Sequence, residues 1–253
     1  MSEVIVVTSG KGGVGKTTAT ANVGTGLAKL DKKTVLVDTD IGLRNLDVVM
    51  GLENRIVYNM VDVIEGNCRL KQALIRDKHY PNLYLLPAAQ TRDKTAVTPE
   101  QMRKLTEDLR EHFEYILLDC PAGIEQGFKN AVAGADRAIR DADRIIGLLE
   151  AGGMKQIDLL INRLRPELIS RGDMMSVEDV TEILAVSLIG AVPDDTGIVV
   201  STNQGEPVAG TDTPSGQAFF NIARRVLGEE VEIPDFTCET SFFQKMKSFF
   251  KKG

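Results

Sequence analysis

Between Ser9 and Thr18 the chain reads SGKGGVGKTT, directly after the apolar run Val4–Val7 and before a helix-forming stretch, Ala19–Lys29. Gly10, Gly15, Lys16 and Thr17 satisfy the spacing G-x-x-x-x-G-K-[ST] of a phosphate-binding loop. Gly10, Gly12, Gly13 and Gly15 let backbone N–H groups, with those of Val14 and Thr18, converge on a polyphosphate without a Cβ in the way. Lys16 can reach the β- and γ-phosphates, and the Thr17 hydroxyl suits a Mg²⁺ ligand. A strand before, a helix after and the full spacing separate this stretch from an empty glycine-rich turn. The implied ligand is a nucleoside triphosphate. Lys11 places a second cation close to Lys16, and like charges so near repel unless an anion lies between them.

Carboxylates supply the rest of the chemistry. Asp38 and Asp40 follow the strand-like run Thr34–Val37, two residues apart, so their side chains leave on one face. One can serve a metal while the other holds a water in line with the γ-phosphate. Phosphoryl transfer needs positioning more than a strong base, so a carboxylate of ordinary pKa suffices. Asp119 follows the apolar run Tyr115–Leu118 and fits a metal-side aspartate of a nucleotide site. Alone it would read as a turn cap; beside a phosphate loop the metal role is the better reading.

The elements that must position these residues alternate. Strands are expected at 4–7, 34–37, 83–86, 115–118, 157–161 and 188–192. Helices are expected at 19–29, 99–112, 176–184 and 217–227. This order predicts an α/β fold, a mostly parallel sheet with helices on both faces. Ligands of such sheets sit at the carboxyl ends of the strands, where Asp38, Asp40, Asp119, Asn162 and Asp194 all fall. Composition is that of an ordinary globular chain of 253 residues, 43% hydrophobic. A net charge of −6 argues against general nucleic-acid binding. The three cysteines form no C-x-x-C pair, so neither a zinc site nor a disulfide framework is indicated. No signal peptide and no apolar run of about 20 residues are found, so a cytoplasmic location is expected.

The last residues stand apart, and the chain divides into a domain over 1–235 and a linker and tail over 236–253. At about 100° per residue, Phe242, Phe243, Met246, Phe249 and Phe250 share an arc of roughly 120°. Lys245, Lys247, Lys251 and Lys252 flank it, and no acid follows Glu239. An amphipathic helix lying in an anionic membrane surface has this layout. Each lysine there contributes about 1 kcal/mol, and each buried phenylalanine about 1.5–3 kcal/mol. Ordering costs roughly 1–2 kcal/mol per residue, so one tail holds weakly and two tails on a dimer hold far better.

The pattern KGGVGKTT, with the tail, resembles the deviant Walker A (ParA/MinD) family of ATPases, and within it the branch that selects the division site in bacteria. The resemblance implies ATP and Mg²⁺ as cofactors and a homodimer when ATP is bound, with Lys11 reaching the partner's phosphates. It gives Lys11, Lys16 and Asp40 catalytic roles and Thr17, Asp38 and Asp119 the metal. Asn45 would belong to the same switch. Asn162 with Pro193 and Asp194 would hold adenine. It further implies the partners MinC, a division inhibitor, and MinE, which stimulates hydrolysis, at the cytoplasmic face of the inner membrane. Two alternatives stand beside it: a hydrolysis-deficient membrane adaptor and a DNA-partition ATPase. One departure is evident. After Gly134-Ala135-Asp136-Arg137-Ala138-Ile139 the family has an apolar strand and a turn, whereas here Arg140-Asp141-Ala142-Asp143-Arg144 follows at once. Roughly ten residues are absent, enough for a strand and its turn. The remainder reads as a continuous helix, with Phe128, Val132, Ala135, Ile139, Ala142, Ile146 and Leu149 at intervals of three and four. A central sheet position would then be filled by a stub strand over Ala135–Ile139, by inward movement of the next strand, or not at all. A stub or a locally disordered patch is the favoured expectation.

Overall fold

The computed structural model describes residues 2–93, 96–142 and 145–234. In chain order the elements are β1 (Glu3–Thr8), α1 (Lys16–Lys29), β2 (Thr34–Asp38), α2 (Leu46–Val49), α3 (Met60–Ile64), α4 (Leu70–Ala73), β3 (Ile75–Arg76) and β4 (Leu83–Leu86). Then come α5 (Pro99–Arg110), β5 (Tyr115–Asp119), α6 (Gln126–Ala133), β6 (Arg137–Arg140), α7 (Ile146–Ala151) and β7 (Gln156–Leu164). The last are α8 (Pro166–Ile169), α9 (Val177–Leu184), β8 (Ser187–Pro193), α10 (Thr196–Gln204) and α11 (Pro214–Val226). Among the described residues eight strands form one sheet in the order β3-β4-β2-β5-β1-β6-β7-β8. Every pairing is parallel except the two-residue edge strand β3 against β4.

Parallel strands are covered on both faces, which is why they read as unbroken β-branched and leucine runs. Ile5 and Val7 point to one layer, where Leu27 of α1 and Phe219 and Ile222 of α11 are buried. Val4 and Val6 point to the other, against Met102, Leu105 and Leu109 of α5 and Phe128 of α6. A smaller cluster forms under α9 from Leu159, Ile161, Leu164, Val177 and Ala191. The amphipathic face of α5 starts from Thr98, whose hydroxyl accepts from the Gln101 N–H while the Gln101 side chain accepts from the Thr98 N–H.

The continuous helix expected across 128–149 is not formed, and no strand is missing from the centre of the sheet. α6 stops at Ala133, Gly134 follows, and β6 takes the position beside β1. Its register runs Ile5↔Arg137 to Thr8↔Arg140 on one side and Arg137↔Gln156 to Arg140↔Leu159 on the other. The stub is therefore real, beginning two residues later than expected from Ala135–Ile139. Two competing demands explain the outcome. Helical spacing here relies on two alanines and crosses a glycine, a weak apolar stripe. Against it stand the N–H and C=O groups along β1 and β7, which a central gap would leave buried and unpaired. Four residues suffice because Ile139 packs with Ile5 and Val7, and Ala138 with the opposite layer. Arg137 fixes the register: its Nε donates to Asp158 Oδ2 at 2.6 Å, with both side chains 8% exposed. Arg140 ends the strand as a guanidinium-bearing residue only 1% exposed.

Candidate nucleotide site

The loop between β1 and α1 is built to meet an anion. Gly15 precedes the helix at φ 93°, a backbone conformation open to glycine, and no side chain caps the first turn of α1. No acid lies in that turn either, so its free N–H groups and the positive helix end face outward from the sheet tip. The loop's glycines are not equivalent in backbone conformation. Gly13, like Gly15, has a positive φ, 76°, but nothing lies within 4 Å of where its Cβ would be. Gly12 has no positive φ, and a Cβ there would meet Ala122 Cβ at 3.7 Å, an ordinary contact. Both Gly12 and Gly13 are exposed. The protein's own packing therefore does not demand glycine at Gly12, while backbone conformation alone demands it at Gly13. Ser9, fully buried, braces the loop: its Oγ donates to Lys11 O at 2.6 Å and accepts from Lys11 N–H at 3.1 Å. Lys16 Nζ donates to Lys11 O at 3.2 Å, folding its side chain over the loop. Lys11 itself is exposed.

Beside the loop lie two buried carboxylates. Asp38 and Asp119 end β2 and β5 directly opposite each other in register, at 1% and 2% exposure. Burial raises the Asp119 carboxyl to about 8, and the nearby Asp38 charge adds to the rise. Burial likewise raises Asp38 to about 6, against amide hydrogen bonds that lower it. The Thr20 hydroxyl donates to Asp119 Oδ1 at 3.3 Å, and the Thr17 hydroxyl lies near enough to the same carboxyl to lower it. Two desolvated carboxylates and two hydroxyls are a hard oxygen set in need of a cation, which fits Mg²⁺. Asp38 has a second task. Its Oδ1 accepts from Asp40 N–H at 2.9 Å, and its Oδ2 from the N–H groups of Asn45 and Leu46 at 3.2 Å. The segment 40–46, exposed Asn45 included, thus hangs from the same carboxylate that would meet the metal. Asp40 is half-buried and lines a cleft with Ile41, Pro121, Ala122 and Phe128.

Asn162 also reaches the loop, its Nδ2 donating to Val14 O at 2.9 Å; a Cβ on Gly15 would come within 2.3 Å of that nitrogen. It lies inside β7, not beyond it, because the strand continues to Leu164. Pro193 and Asp194 lie at the end of the neighbouring strand. They close β8, where Asp194 N–H donates to Leu164 O at 2.8 Å and the Asp194 carboxylate accepts from Arg165 Nε at 2.6 Å. Sequence reasoning does not single out Ser9 or Thr20. Helical spacing could find Thr20, close to one turn after Thr17 on the same side of α1. Phe242, Phe243, Lys245, Met246, Lys247, Phe249, Phe250, Lys251 and Lys252 lie outside the described residues.

Fold and site together define a P-loop nucleotide-binding protein. The family of the CobQ/CobB/MinD/ParA nucleotide binding domain matches residues 5–208. The septum site-determining protein MinD of Bacillus subtilis is 52% identical over 264 positions, covering 99% of this chain and 98% of that protein. Since 264 exceeds 253 by 11, at least 11 positions of that match have no residue here, the size of the segment read as absent. Among solved structures, the MinC:MinD cell division protein complex of Aquifex aeolicus is 46% identical, with a TM-score of 0.85, covering 92% of this chain and 98% of that chain. The septum site-determining protein MinD of Pyrococcus horikoshii, complexed with Mg-ADP, is 27% identical, with a TM-score of 0.80 over 89% of this chain and 96% of that one. The chain belongs to this nucleotide-binding ATPase family and, within it, to the septum site-determining MinD proteins.

Proposed function

We propose that the chain is an ATP-hydrolysing switch of division-site selection, which dimerises on ATP and attaches peripherally to the cytoplasmic face of the inner membrane. The observation that carries the reading is the pairing of an uncapped, glycine-opened α1 with two facing buried carboxylates. Lys16 and the N–H groups of residues 10–18, Gly12 and Gly13 among them, would hold the phosphates, and Thr17, Asp38 and Asp119 the Mg²⁺. When bound, that cation neutralises charge on the transferring phosphoryl group. Asp40 would orient the attacking water. Asp38 would report the ligand, since a change at its carboxylate moves the three amides that fix residues 40–46. Exposed Lys11 is available to a second copy's phosphates, which makes the dimer depend on ATP. Asn162 would lie toward the base, with Pro193 and Asp194 further out.

The tail over 236–253 would then act twice per dimer, with its phenylalanines in the lipid and its lysines on anionic headgroups. MinC is the expected passenger and MinE the expected stimulator of hydrolysis. Likeness to the complex from Aquifex aeolicus supports the first. A hydrolysis-deficient adaptor is favoured less now that β6 fills the sheet beside β1. A DNA-partition role is supported neither by the charge of −6 nor by an 18% identity to the ParA family ATPase of Chlorobium tepidum, which carries the fold alone. Phosphate release measured with anionic vesicles and MinE decides between switch and adaptor. The switch predicts release that rises with both additions and is absent in Lys16→Ala; no release under any condition favours the adaptor.

A further inference from the structure

A cleft of about 260 Å³ opens between α1, the end of α2, the loop before β4 and the connection from α10 to α11. It lies away from the nucleotide site: Thr25, on its α1 wall, follows Lys16 by nine residues, about 13 Å along the helix. The volume is just under that of pockets for drug-sized ligands, so it suits a small metabolite. Its charges are not used up by one another. Lys29 Nζ donates to Ala209 O at 2.6 Å and sits 5.8 Å from the centre of the Tyr80 ring, which leaves two of its N–H groups over. The Glu206 carboxylate meets only the His79 ring, at 3.7 Å, beyond hydrogen-bond range. Asp77 Oδ1 accepts from the N–H groups of His79 and Tyr80 at 2.8 and 2.9 Å. At the edge, Lys78 Nζ lies where a Cβ on Gly51 would come within 2.7 Å of it. Two ammonium groups and two carboxylates thus surround the cleft, and among the described residues no ion pair closes between them. Met50, Pro207 and the Tyr80 ring give the wall its apolar part.

We propose that this cleft is a binding site for a free α-amino acid with an apolar side chain. Its carboxylate meets Lys29, its ammonium meets Glu206, and its side chain lies against Met50 and Pro207. Balanced charge selects this class. A simple anion would be drawn to Lys29 but repelled by Glu206 and Asp77, and a simple cation would meet the reverse. A small zwitterion satisfies both signs at once, and its apolar body removes the exposed part of the wall from water. Half-buried Lys29 carries most of the recognition, whereas Glu206, well exposed, adds less. The site needs no nucleotide.

The test is a saturation-transfer NMR titration of the full chain, without nucleotide, against L-leucine, L-methionine and L-phenylalanine. Each is compared with its two one-charge analogues, the deaminated acid and the decarboxylated amine. At least one amino acid is expected to bind with a Kd of about 1–10 mM. Its analogues should bind about 5-fold more weakly or worse. Glu206→Gln should weaken binding about 2- to 5-fold, and Lys29→Met about 10-fold or more. Circular dichroism melts check that each variant folds. Should Lys29→Met fail to fold, Glu206→Gln and the analogues decide. No binding by any of the three amino acids up to about 20 mM overturns the proposal. So does an analogue that equals its parent, or a folded Glu206→Gln that binds as wild type does.

Discussion

Asp119→Asn should stabilise the protein in the absence of metal and nucleotide, and by an amount that depends on pH. The folded state holds the Asp119 carboxyl at about 8, far above the 3.8 expected in the unfolded chain. Between those values the folded protein keeps a proton that the unfolded chain has released. Stability therefore falls as pH rises through the window, by about 1.36 kcal/mol per pH unit for this one group. From about pH 4 to about pH 8 the accumulated cost is on the order of 5 kcal/mol, and above pH 8 it stays constant. Asparagine keeps the shape and an acceptor for Thr20 but carries no charge. We therefore expect the variant to exceed wild type by about 3–5 kcal/mol at pH 9 and by about 1–2 kcal/mol at pH 5. Asp38, raised to about 6 by burial, adds a loss of stability of its own between about pH 4 and 6. Urea unfolding in a chelator, from pH 5 to 9, measures the difference. Mg·ADP at 100 times its Kd adds about 2.7 kcal/mol to wild type alone, so the order should reverse at pH 5 and the gap should narrow at pH 9. A gain that is the same at every pH, or a variant weaker than wild type at pH 9, would refute the idea that these carboxylates sit desolvated and in want of a cation.

Other outcomes follow from the same geometry. Gly15→Ala should lose nucleotide binding, since its φ of 93° disfavours a side chain and its Cβ would meet Asn162 at 2.3 Å; adding Asn162→Ala should relieve the contact but not the backbone strain, so calorimetry should show partial recovery. Arg137→Met should cost about 3–5 kcal/mol in denaturant unfolding, because it strands the buried Asp158 carboxylate on β7.

Much of this was legible in the sequence because the phosphate loop and the runs around 34–38 and 115–119 each obey a spacing set by local chemistry. β1, β2, β4, β5, β7 and β8 announce themselves as short apolar runs, since strands covered on both faces need nothing else. β6 does not, because its four residues include two arginines, and its identity is imposed by its neighbours' unpaired backbone. Periodicity suggests a helix there, and the sheet overrules it. α10 escapes for a related reason: none of its residues is buried, so no apolar stripe marks it. The role of Ser9 depends on contacts across the loop, which no linear spacing encodes, whereas Thr20 is within reach of helical spacing from Thr17. Within the loop, the letters alone do not separate Gly12, with its ordinary backbone, from Gly13 and Gly15, whose φ values need glycine.

The coupling of nucleotide to membrane is the centre of the account, and flotation with anionic liposomes tests it most directly. Wild type, Lys11→Ala and Lys16→Ala are compared in ADP and in a slowly hydrolysed ATP analogue. The account predicts that wild type floats with the analogue and far less with ADP, and that neither variant floats well with either. Equal flotation of wild type in both nucleotides, or flotation of Lys11→Ala that matches wild type, would contradict it.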